Sequence, residues 1–105
     1  MVVVPGVSST SLFYFAAMRH PDLAGVLFGA SHNPAGDTGQ KIVGPGVRPI
    51  ARQLGPEGGL DRIQELHVAG AAMTSRPGAI TAHDPTDDYI AYSMKLAGVE
   101  PGSLE

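Results

Sequence analysis

The sequence predicts an α/β fold in which a mixed, mostly parallel sheet lies between helices. Three observations support this prediction: short apolar runs typical of strands alternate with helical patterns, turns rich in Gly and Pro separate them, and the last helix is marked at both ends. The predicted order along the chain is strand, helix, strand, loop, strand, helix, strand and helix. This order indicates that the first helix is a right-handed crossover between two parallel strands of one sheet.

The first half of the chain contains three predicted strands and one predicted helix. Residues 2–4 form a β-branched run ended by a Pro-Gly turn, which predicts a buried strand. Ser8-Ser9-Thr10 offers N-cap residues for a helix of about ten residues that ends near His20-Pro21. The small and apolar run from Ala24 to Ala30 predicts a strand covered on both faces, and Gln40 to Val43 predicts the next strand.

The second half is predicted to be mostly helical. Leu60, Ile63 and either Leu66 or His67 recur at helical spacing, which predicts a helix with one of its faces marked by these residues. Ala79 to Ala82 predicts a short strand between this helix and the last one.

The last helix has the clearest signals at its ends. Asp84 is predicted to cap it, Pro85 to occupy its first position and Gly98 to end it. Asp87 and Asp88 complement the helix dipole from the first turn. Three aspartates so close together resemble a metal-binding cluster, but the chemistry of a helix start accounts for all of them.

Composition limits the classes of function. The chain of 105 residues has room for at most one ordinary domain, and 43% hydrophobic residues are enough for a core. The net charge of −3, with seven Lys and Arg residues in all, argues against nucleic acid or an anionic membrane as a partner. The chain has no Cys, no signal-peptide pattern and no apolar run of the ~20 residues that span a membrane. We therefore expect a soluble cytoplasmic protein, whose oligomeric state the sequence leaves open.

One loop carries side chains suited to phosphate chemistry. Ser31 follows the predicted strand at 24–30, and open α/β sheets tend to bind ligands at the carboxyl ends of their strands. Pro34 stiffens the loop, so it presents the Ser31 hydroxyl at the surface beside backbone N–H groups that are free to bind an anion. If the flanking strands pair antiparallel, opposite residues lie roughly 5 Å apart and Lys41 reaches the neighbourhood of Ser31. A hydroxyl, a cation and loop amides at one strand end predict a phosphate-binding site.

From Ala30 to Lys41 the chain reads A-S-H-N-P-A-G-D-T-G-Q-K. This segment resembles T/S-A-S-H-N-P-x-x-Y-N-G-x-K, the phosphoserine loop of the α-D-phosphohexomutases (the phosphoglucomutase/phosphomannomutase family), with the same spacing from serine to lysine. Upstream, residues 6–16 resemble the family's G-x-V-S/T-T-x-x-L-Y-F-A helix start. Downstream, residues 46–50 and 88–90 resemble the segments that continue and close its first domain.

The resemblance implies that residues 1–105 are a partial phosphohexomutase domain I with an incomplete α/β fold. Gly29 stands where threonine is usual, and Asp37-Thr38 replaces Tyr-Asn. The family's F-G-T-x-G-x-R-G segment, its D-G-D-x-D metal loop, its sugar-specificity loop and its C-terminal phosphate-binding domain do not occur in these residues. We therefore expect the remaining domains to be absent and the isolated chain to be inactive. A non-catalytic phosphate-binding or interaction module built on the same loop is the alternative.

The resemblance also implies roles for individual residues. Ser31 would carry the phosphoryl group in the interconversion of hexose 1- and 6-phosphates, so a hexose phosphate and a hexose bisphosphate are the expected partners. Lys41 would stabilise charge, and His32 would either transfer protons or bind phosphate, or else orient the loop. Asn33 and Gly39 would belong to the substrate- and phosphate-binding loop, in which we expect Asn33 to hold the turn rather than to contact the substrate. The phosphate on Ser31 would help to bind Mg²⁺, with the remaining ligands expected from the missing second domain. Which hexose is used stays open.

Overall fold

The computed structural model describes residues 2–53, 58–70, 76, 78–100 and 102. Helices and strands follow one another largely in the predicted order, and the α/β class is confirmed. In chain order the elements are β1 (Val2–Val4), α1 (Thr10–Arg19), β2 (Gly25–Gly29), β3 (Gly39–Gly44), β4 (Arg48–Pro49), α2 (Gly59–Ala69), β5 (Ile80–Ala82) and α3 (Thr86–Ala97). Strand β4, which follows a 3₁₀ turn, is an addition to the prediction.

The chain divides into two compact units. The first comprises Met1–Ala16 and Gly78–Glu105, and the second comprises Ala17–Pro77. In the first unit β1 and β5 pair in parallel, with Val3 opposite Thr81.

Aromatic side chains form the core of the first unit. Leu12, Phe13 and Phe15 on α1 are buried. The Phe15 ring lies 5.5 Å from the ring of Tyr89 and 5.3 Å from that of Tyr92, both on α3. These are tilted contacts within the range in which aromatic pairs stabilise each other, by roughly 0.5–1.5 kcal/mol each. The helical spacing of the apolar residues therefore places α1 against α3.

Local capping signals define the helix ends. Ser9 Oγ accepts a hydrogen bond from the Leu12 N–H at 3.1 Å, which confirms the predicted N-cap region of α1. At α3, Asp84 Oδ1 accepts one from the Thr86 N–H at 3.0 Å, and a left-handed glycine follows the last residue, as predicted. The helix begins at Thr86, so Pro85 lies one position before the predicted one.

The second unit contains an antiparallel sheet with the strand order β2-β3-β4. Gly25 lies opposite Val43, and Gly29 lies opposite Gly39 at the other end of the β2–β3 ladder. Val43 is only 1% exposed, so the middle strand supplies the most deeply buried apolar side chain of the described residues. This sheet fixes where the loop after β2 begins and ends.

The prediction of a mostly parallel sheet is wrong for the described strands. Only β1 and β5 pair in parallel among them, whereas β2, β3 and β4 pair antiparallel. The physical reason is the short loop between β2 and β3, because a direct chain reversal gives antiparallel pairing and a parallel pair needs a longer connection. Strands β1 and β2 lie in different units, so the predicted crossover between them stays a prediction.

Strand β2 is not covered on both faces, contrary to the prediction. Val26 and Phe28 are 48% and 66% exposed, whereas Leu27 on the opposite face is partly buried. Helix α2 is confirmed as an element, but its apolar residues are also partly exposed. Those at the predicted helical spacing are Leu60, Ile63 and Leu66.

Candidate functional site

The loop between β2 and β3 is built from two tight turns. The Asn33 N–H donates to the Ala30 carbonyl oxygen at 3.0 Å, and the Asp37 N–H donates to the Pro34 carbonyl oxygen at 2.9 Å. Each bond closes a four-residue turn. Every residue from 31 to 38 is exposed. The loop therefore holds its shape through its own backbone while its side chains stay open to solvent.

Ser31 has an unusual backbone conformation. It follows β2 by two residues and has a φ of 54°. The left-handed region costs a non-glycine residue roughly 1–2 kcal/mol, because Cβ approaches the following carbonyl oxygen. Sparsely populated conformations of this kind cluster at functional sites, where they fix the direction of a side chain.

His32 contacts the Ser31 hydroxyl directly. The Ser31 Oγ lies 3.2 Å from His32 Nδ1, and both side chains are exposed. When Nδ1 is unprotonated it accepts the hydroxyl proton, and when Nδ1 carries a proton it donates to the oxygen. The geometry therefore suits both roles predicted for His32, an orienting contact and proton transfer.

Lys41 lies on the strand that pairs with β2. The antiparallel pairing on which its predicted role depended is confirmed, and the register places Lys41 opposite Leu27. It is thus two residues, or roughly 7 Å along the strand, from the end of the ladder where the loop begins. Its side chain is exposed, and it forms no ion pair within the described part of the chain. A four-carbon stem gives the ammonium a wide range of positions near this end of the sheet.

Gly39 and Asn33 support the loop through their backbones. A Cβ on Gly39 would lie 3.0 Å from the Gly29 carbonyl oxygen, so a side chain at this position would crowd the backbone of the opposite strand. Asn33 closes the first turn through its N–H. By contrast, a Cβ on Gly29 would meet nothing within 4 Å. Packing therefore does not require a glycine at this position, where the family usually has threonine.

The described residues do not fit a complete Mg²⁺ site on their own. Mg²⁺ prefers an octahedral set of oxygen ligands, usually carboxylates combined with phosphate oxygens and water. No group of three or more His, Cys, Asp or Glu side chains comes together within the ranges that the structure describes. A shallow depression in the second unit is lined instead by Arg52, Asp61, Gln64, Glu65, Val68 and Ala69. It includes none of the predicted site residues.

Asp84 has the structural role predicted for it at the start of α3. Hydrogen bonds from the side chain and then the backbone of Thr86 hold the pKa of Asp84 below its ordinary value. These contacts belong to the start of the helix, where a carboxylate is favoured by the free N–H groups.

The left-handed backbone of Ser31 was not predictable from the sequence. Gly and Asn are the residues that usually signal this conformation, and serine gives no such signal. The hydrogen bond between Ser31 and His32 was likewise not predictable from adjacency alone, because neighbouring side chains rarely face each other unless the turn directs them.

The loop after β2 thus presents an exposed serine with a left-handed backbone, a histidine beside its hydroxyl and a lysine on the paired strand. The chain belongs to the phosphoglucomutase/phosphomannomutase family, since residues 1–55 match the model of its alpha/beta/alpha domain I. The matched range includes β1 to β4 and the whole Ser31 loop.

Two curated relatives support the same assignment. The chain is 37% identical over 94 residues to a phosphoglucosamine mutase from Mycolicibacterium smegmatis, an alignment that covers 86% of this chain and 20% of that protein. It is 34% identical over 76 residues to a phosphoglucosamine mutase from Syntrophomonas wolfei, with 72% of this chain and 16% of that protein covered. The aligned part is thus about a fifth or less of these relatives' length. No solved structure matches the chain significantly.

None of the helices in the described ranges has the length and apolar character needed to cross a membrane.

Proposed function

We propose that this chain is the phosphoserine-bearing part of an α-D-phosphohexomutase and that Ser31 carries the phosphoryl group. The observation that carries the proposal is the presentation of the Ser31 hydroxyl. It is exposed in a left-handed turn directly after β2, and His32 Nδ1 lies 3.2 Å from its oxygen. Family membership supports this class of reaction, an intramolecular phosphotransfer between the 1- and 6-positions of a hexose.

The proposed transfer has two balanced halves at Ser31. In the first, the Oγ–phosphorus bond breaks while a bond forms between phosphorus and a hydroxyl oxygen of the hexose monophosphate, which gives a hexose bisphosphate. The sugar hydroxyl loses its proton to a base, and Ser31 Oγ gains one. In the second half the other phosphate of the bisphosphate returns to Ser31 Oγ, and the proton moves the opposite way.

His32 is the proposed proton partner of Ser31 Oγ. Its Nδ1 already lies within hydrogen-bond reach of the oxygen that must be protonated when phosphate leaves and deprotonated when phosphate returns. The same imidazole nitrogen can give a proton to Ser31 Oγ when phosphate leaves and take it back when phosphate returns, because it alternates between donor and acceptor.

Lys41 is the proposed counter-charge. A phosphoserine carries about −1.5 to −2 charges near neutral pH. One lysine at ~4 Å contributes on the order of 4 kcal/mol per unit charge pair at an effective dielectric near 20, before desolvation. A single ammonium leaves the phosphate under-compensated, so Mg²⁺ is the proposed cofactor. Phosphate oxygens on Ser31 would serve as ligands, together with carboxylates from outside the described residues. When bound, Mg²⁺ would neutralise charge that develops during phosphoryl transfer.

The proposed substrate is a hexosamine phosphate. Both relatives described above are named phosphoglucosamine mutases, which favours glucosamine phosphate and its bisphosphate over the glucose and mannose counterparts. The cytoplasm is the proposed location. We also propose that these 105 residues alone are inactive in the interconversion of hexose phosphates, since a complete metal site needs further carboxylates. Acceptance of one phosphoryl group by Ser31 is the half-reaction that we propose they still perform.

The experiment is phosphorylation of the chain by a hexose 1,6-bisphosphate in the presence of Mg²⁺, followed by intact-mass spectrometry. We expect an increment of about 80 Da, as for one phosphoryl group. The Ser31→Ala variant should show none, and Thr38→Ala, which removes another exposed hydroxyl from the same loop, should behave like the unmodified chain. An increment that persists in Ser31→Ala would contradict the proposal. Reversible binding of inorganic phosphate with no covalent increment would favour the non-catalytic module.

A further inference from the structure

The Ser31 hydroxyl has a neighbour that can take its proton. His32 Nδ1 lies 3.2 Å from Ser31 Oγ, which is within the range of a hydrogen bond on which proton transfer depends. A serine hydroxyl is a weak nucleophile until an adjacent base activates it. Ser31 and His32 therefore form a nucleophile and base pair that is complete within the loop itself.

The same hydroxyl is open to a phosphoryl donor. Every residue from 31 to 38 is exposed, while backbone hydrogen bonds hold the two turns of the loop in shape. The φ of 54° at Ser31 fixes the direction of its side chain. A donor therefore reaches Ser31 Oγ directly from solvent.

The leaving group of the donor decides what else the reaction needs. When the donor is a sugar phosphate, the oxygen that leaves phosphorus is an alkoxide, a strong base that needs a proton as it departs. When the donor is an acyl phosphate, the leaving group is a carboxylate, whose acid has a pKa of about 4–5, so it departs without a proton. An acyl phosphate thus requires only a base at the nucleophile and positive charge near the phosphate. His32 Nδ1 is such a base, and Lys41 is an exposed cation on the paired strand.

We propose that an acyl phosphate is the donor that places the first phosphoryl group on Ser31. The inference rests on the proposed role of Ser31 as phosphoryl carrier, and it adds the class of compound that primes an unphosphorylated chain. Ser31 Oγ forms a bond to phosphorus while the bond between phosphorus and the acyl oxygen breaks. The carboxylate leaves with the electron pair of that bond, and the Ser31 proton passes to His32 Nδ1 and then to water.

Charge favours an acyl phosphate over a nucleoside triphosphate, whose leaving group is also a weak base. A triphosphate brings several more negative charges to the loop, and the chain already has a net charge of −3. One lysine compensates a small donor of about two negative charges better than a donor of about four. The smaller donor is therefore the better match for this loop.

The test is treatment of the full 105-residue chain with acetyl phosphate and Mg²⁺, followed by tandem mass spectrometry. We expect an increment of about 80 Da on Ser31. Ser9 is the internal control, because it is exposed as well and its Oγ accepts a hydrogen bond from the Leu12 N–H. Ser31 should be labelled at least about 10²-fold faster than Ser9, and His32→Ala should remove this advantage. Thr38→Ala should leave the rate at Ser31 unchanged.

Three other donors under the same conditions complete the test. Methyl phosphate, which must expel an alkoxide, should give no label, and ATP should label Ser31 more slowly than acetyl phosphate. Label from a hexose 1,6-bisphosphate but not from acetyl phosphate would overturn this inference and leave the proposed function standing. Label from acetyl phosphate alone would support the inference and remove the bisphosphate from the proposed function, whereas label from neither would overturn both.

The site and the mass of the label give the remaining outcomes. Equal labelling of Ser31 and Ser9, or a rate at Ser31 that His32→Ala leaves unchanged, would overturn the inference, because the reaction would then need no base from the loop. An increment of about 42 Da alone would overturn it too, since the acetyl group rather than the phosphoryl group would have been transferred. Faster labelling by ATP than by acetyl phosphate would contradict the choice of donor.

Discussion

Gly39 should be less replaceable than Gly29, its partner at the end of the β2–β3 ladder, which should tolerate substitution. The two residues lie directly opposite each other. A Cβ on Gly39 would lie 3.0 Å from the Gly29 carbonyl oxygen, whereas a Cβ on Gly29 would meet nothing within 4 Å. Neither glycine has a positive φ, so alanine is compatible with both backbones. Gly39→Ala and Gly29→Ala are therefore a matched pair that differs in one contact.

The expected magnitude follows from that contact. Replacing glycine by alanine at a compatible position stabilises the folded state by about 0.4–1 kcal/mol, because the unfolded chain loses conformational entropy. This gain is common to both variants and cancels in their difference. Overpacking a well-packed core costs about 1–3 kcal/mol, and a contact at the exposed end of a ladder, which is relieved by a shift of a few tenths of an ångström, belongs at the low end of this range. We therefore expect Gly29→Ala to be neutral or slightly stabilising and Gly39→Ala to be less stable than Gly29→Ala by about 1 kcal/mol.

The assay is thermal unfolding of both variants, followed by circular dichroism. For a chain of this size each kcal/mol shifts Tm by about 4–8 °C. The Gly29 carbonyl precedes the Ser31 turn, so Gly39→Ala should also slow phosphorylation of Ser31. Equal melting temperatures for the two variants would refute the argument, since the crowding at the end of the ladder would then have no energetic consequence.

Three further predictions concern side chains in and outside the loop. His32→Asn and His32→Ala should both slow phosphorylation of Ser31 by about 10²-fold, measured by intact mass, because neither transfers a proton; an unchanged rate in His32→Asn would assign the histidine an orienting role instead. Lys41→Met should slow the same reaction by about tenfold or more, whereas Lys41→Arg should retain most of the rate, since it keeps the charge; equal rates would remove Lys41 from the site. Hydrogen bonds from Thr86 lower the pKa of Asp84 in the folded chain below its ordinary value of 3.8. The ionised carboxylate therefore stabilises the folded state above pH 3.8, and this stability is lost as the pH falls through the lower pKa of the folded chain. Asp84→Asn should accordingly be less stable at neutral pH and approach the unmodified chain below pH 3.8 in denaturant titrations; a constant difference at all pH values would contradict the linkage.

The helices were predictable from the sequence because the signals at their ends are local. A serine at the start of α1 and an aspartate before α3 mark helix ends by hydrogen bonds to N–H groups two or three residues away. Such contacts need no knowledge of the rest of the chain. The predicted start of α3 at Pro85 is wrong by one residue, which is the usual uncertainty of helix boundaries.

Strand pairing could not be predicted in the same way. β1 pairs with β5, which is distant in sequence, and β2 pairs with β3 across a short loop. An apolar run indicates that a segment can form a strand, but it does not indicate which other strand will pair with it. The prediction of β2 as a strand buried on both faces failed for the same reason, because a short apolar run reads alike whether one or both of its faces are covered.

The candidate site was found through a motif, and the structure adds its geometry. The spacing from Ser31 to Lys41 and the antiparallel condition were sufficient to place the lysine on the neighbouring strand. The left-handed backbone of Ser31 and its contact with His32 lie in the turn that the Asn33 N–H closes, and no residue pattern in the sequence marks either of them. The catalytic roles of these residues stay predictions.

The most direct test of the central claim is localisation of the phosphate by tandem mass spectrometry. The chain is treated with a hexose 1,6-bisphosphate and Mg²⁺, digested, and the peptide that contains Ser31 is fragmented. We predict a phosphoryl group of about 80 Da on Ser31 and none on Thr38 in the same loop. A peptide that stays unmodified, or a phosphate found on Thr38 instead, would contradict the claim that Ser31 is the phosphoryl carrier.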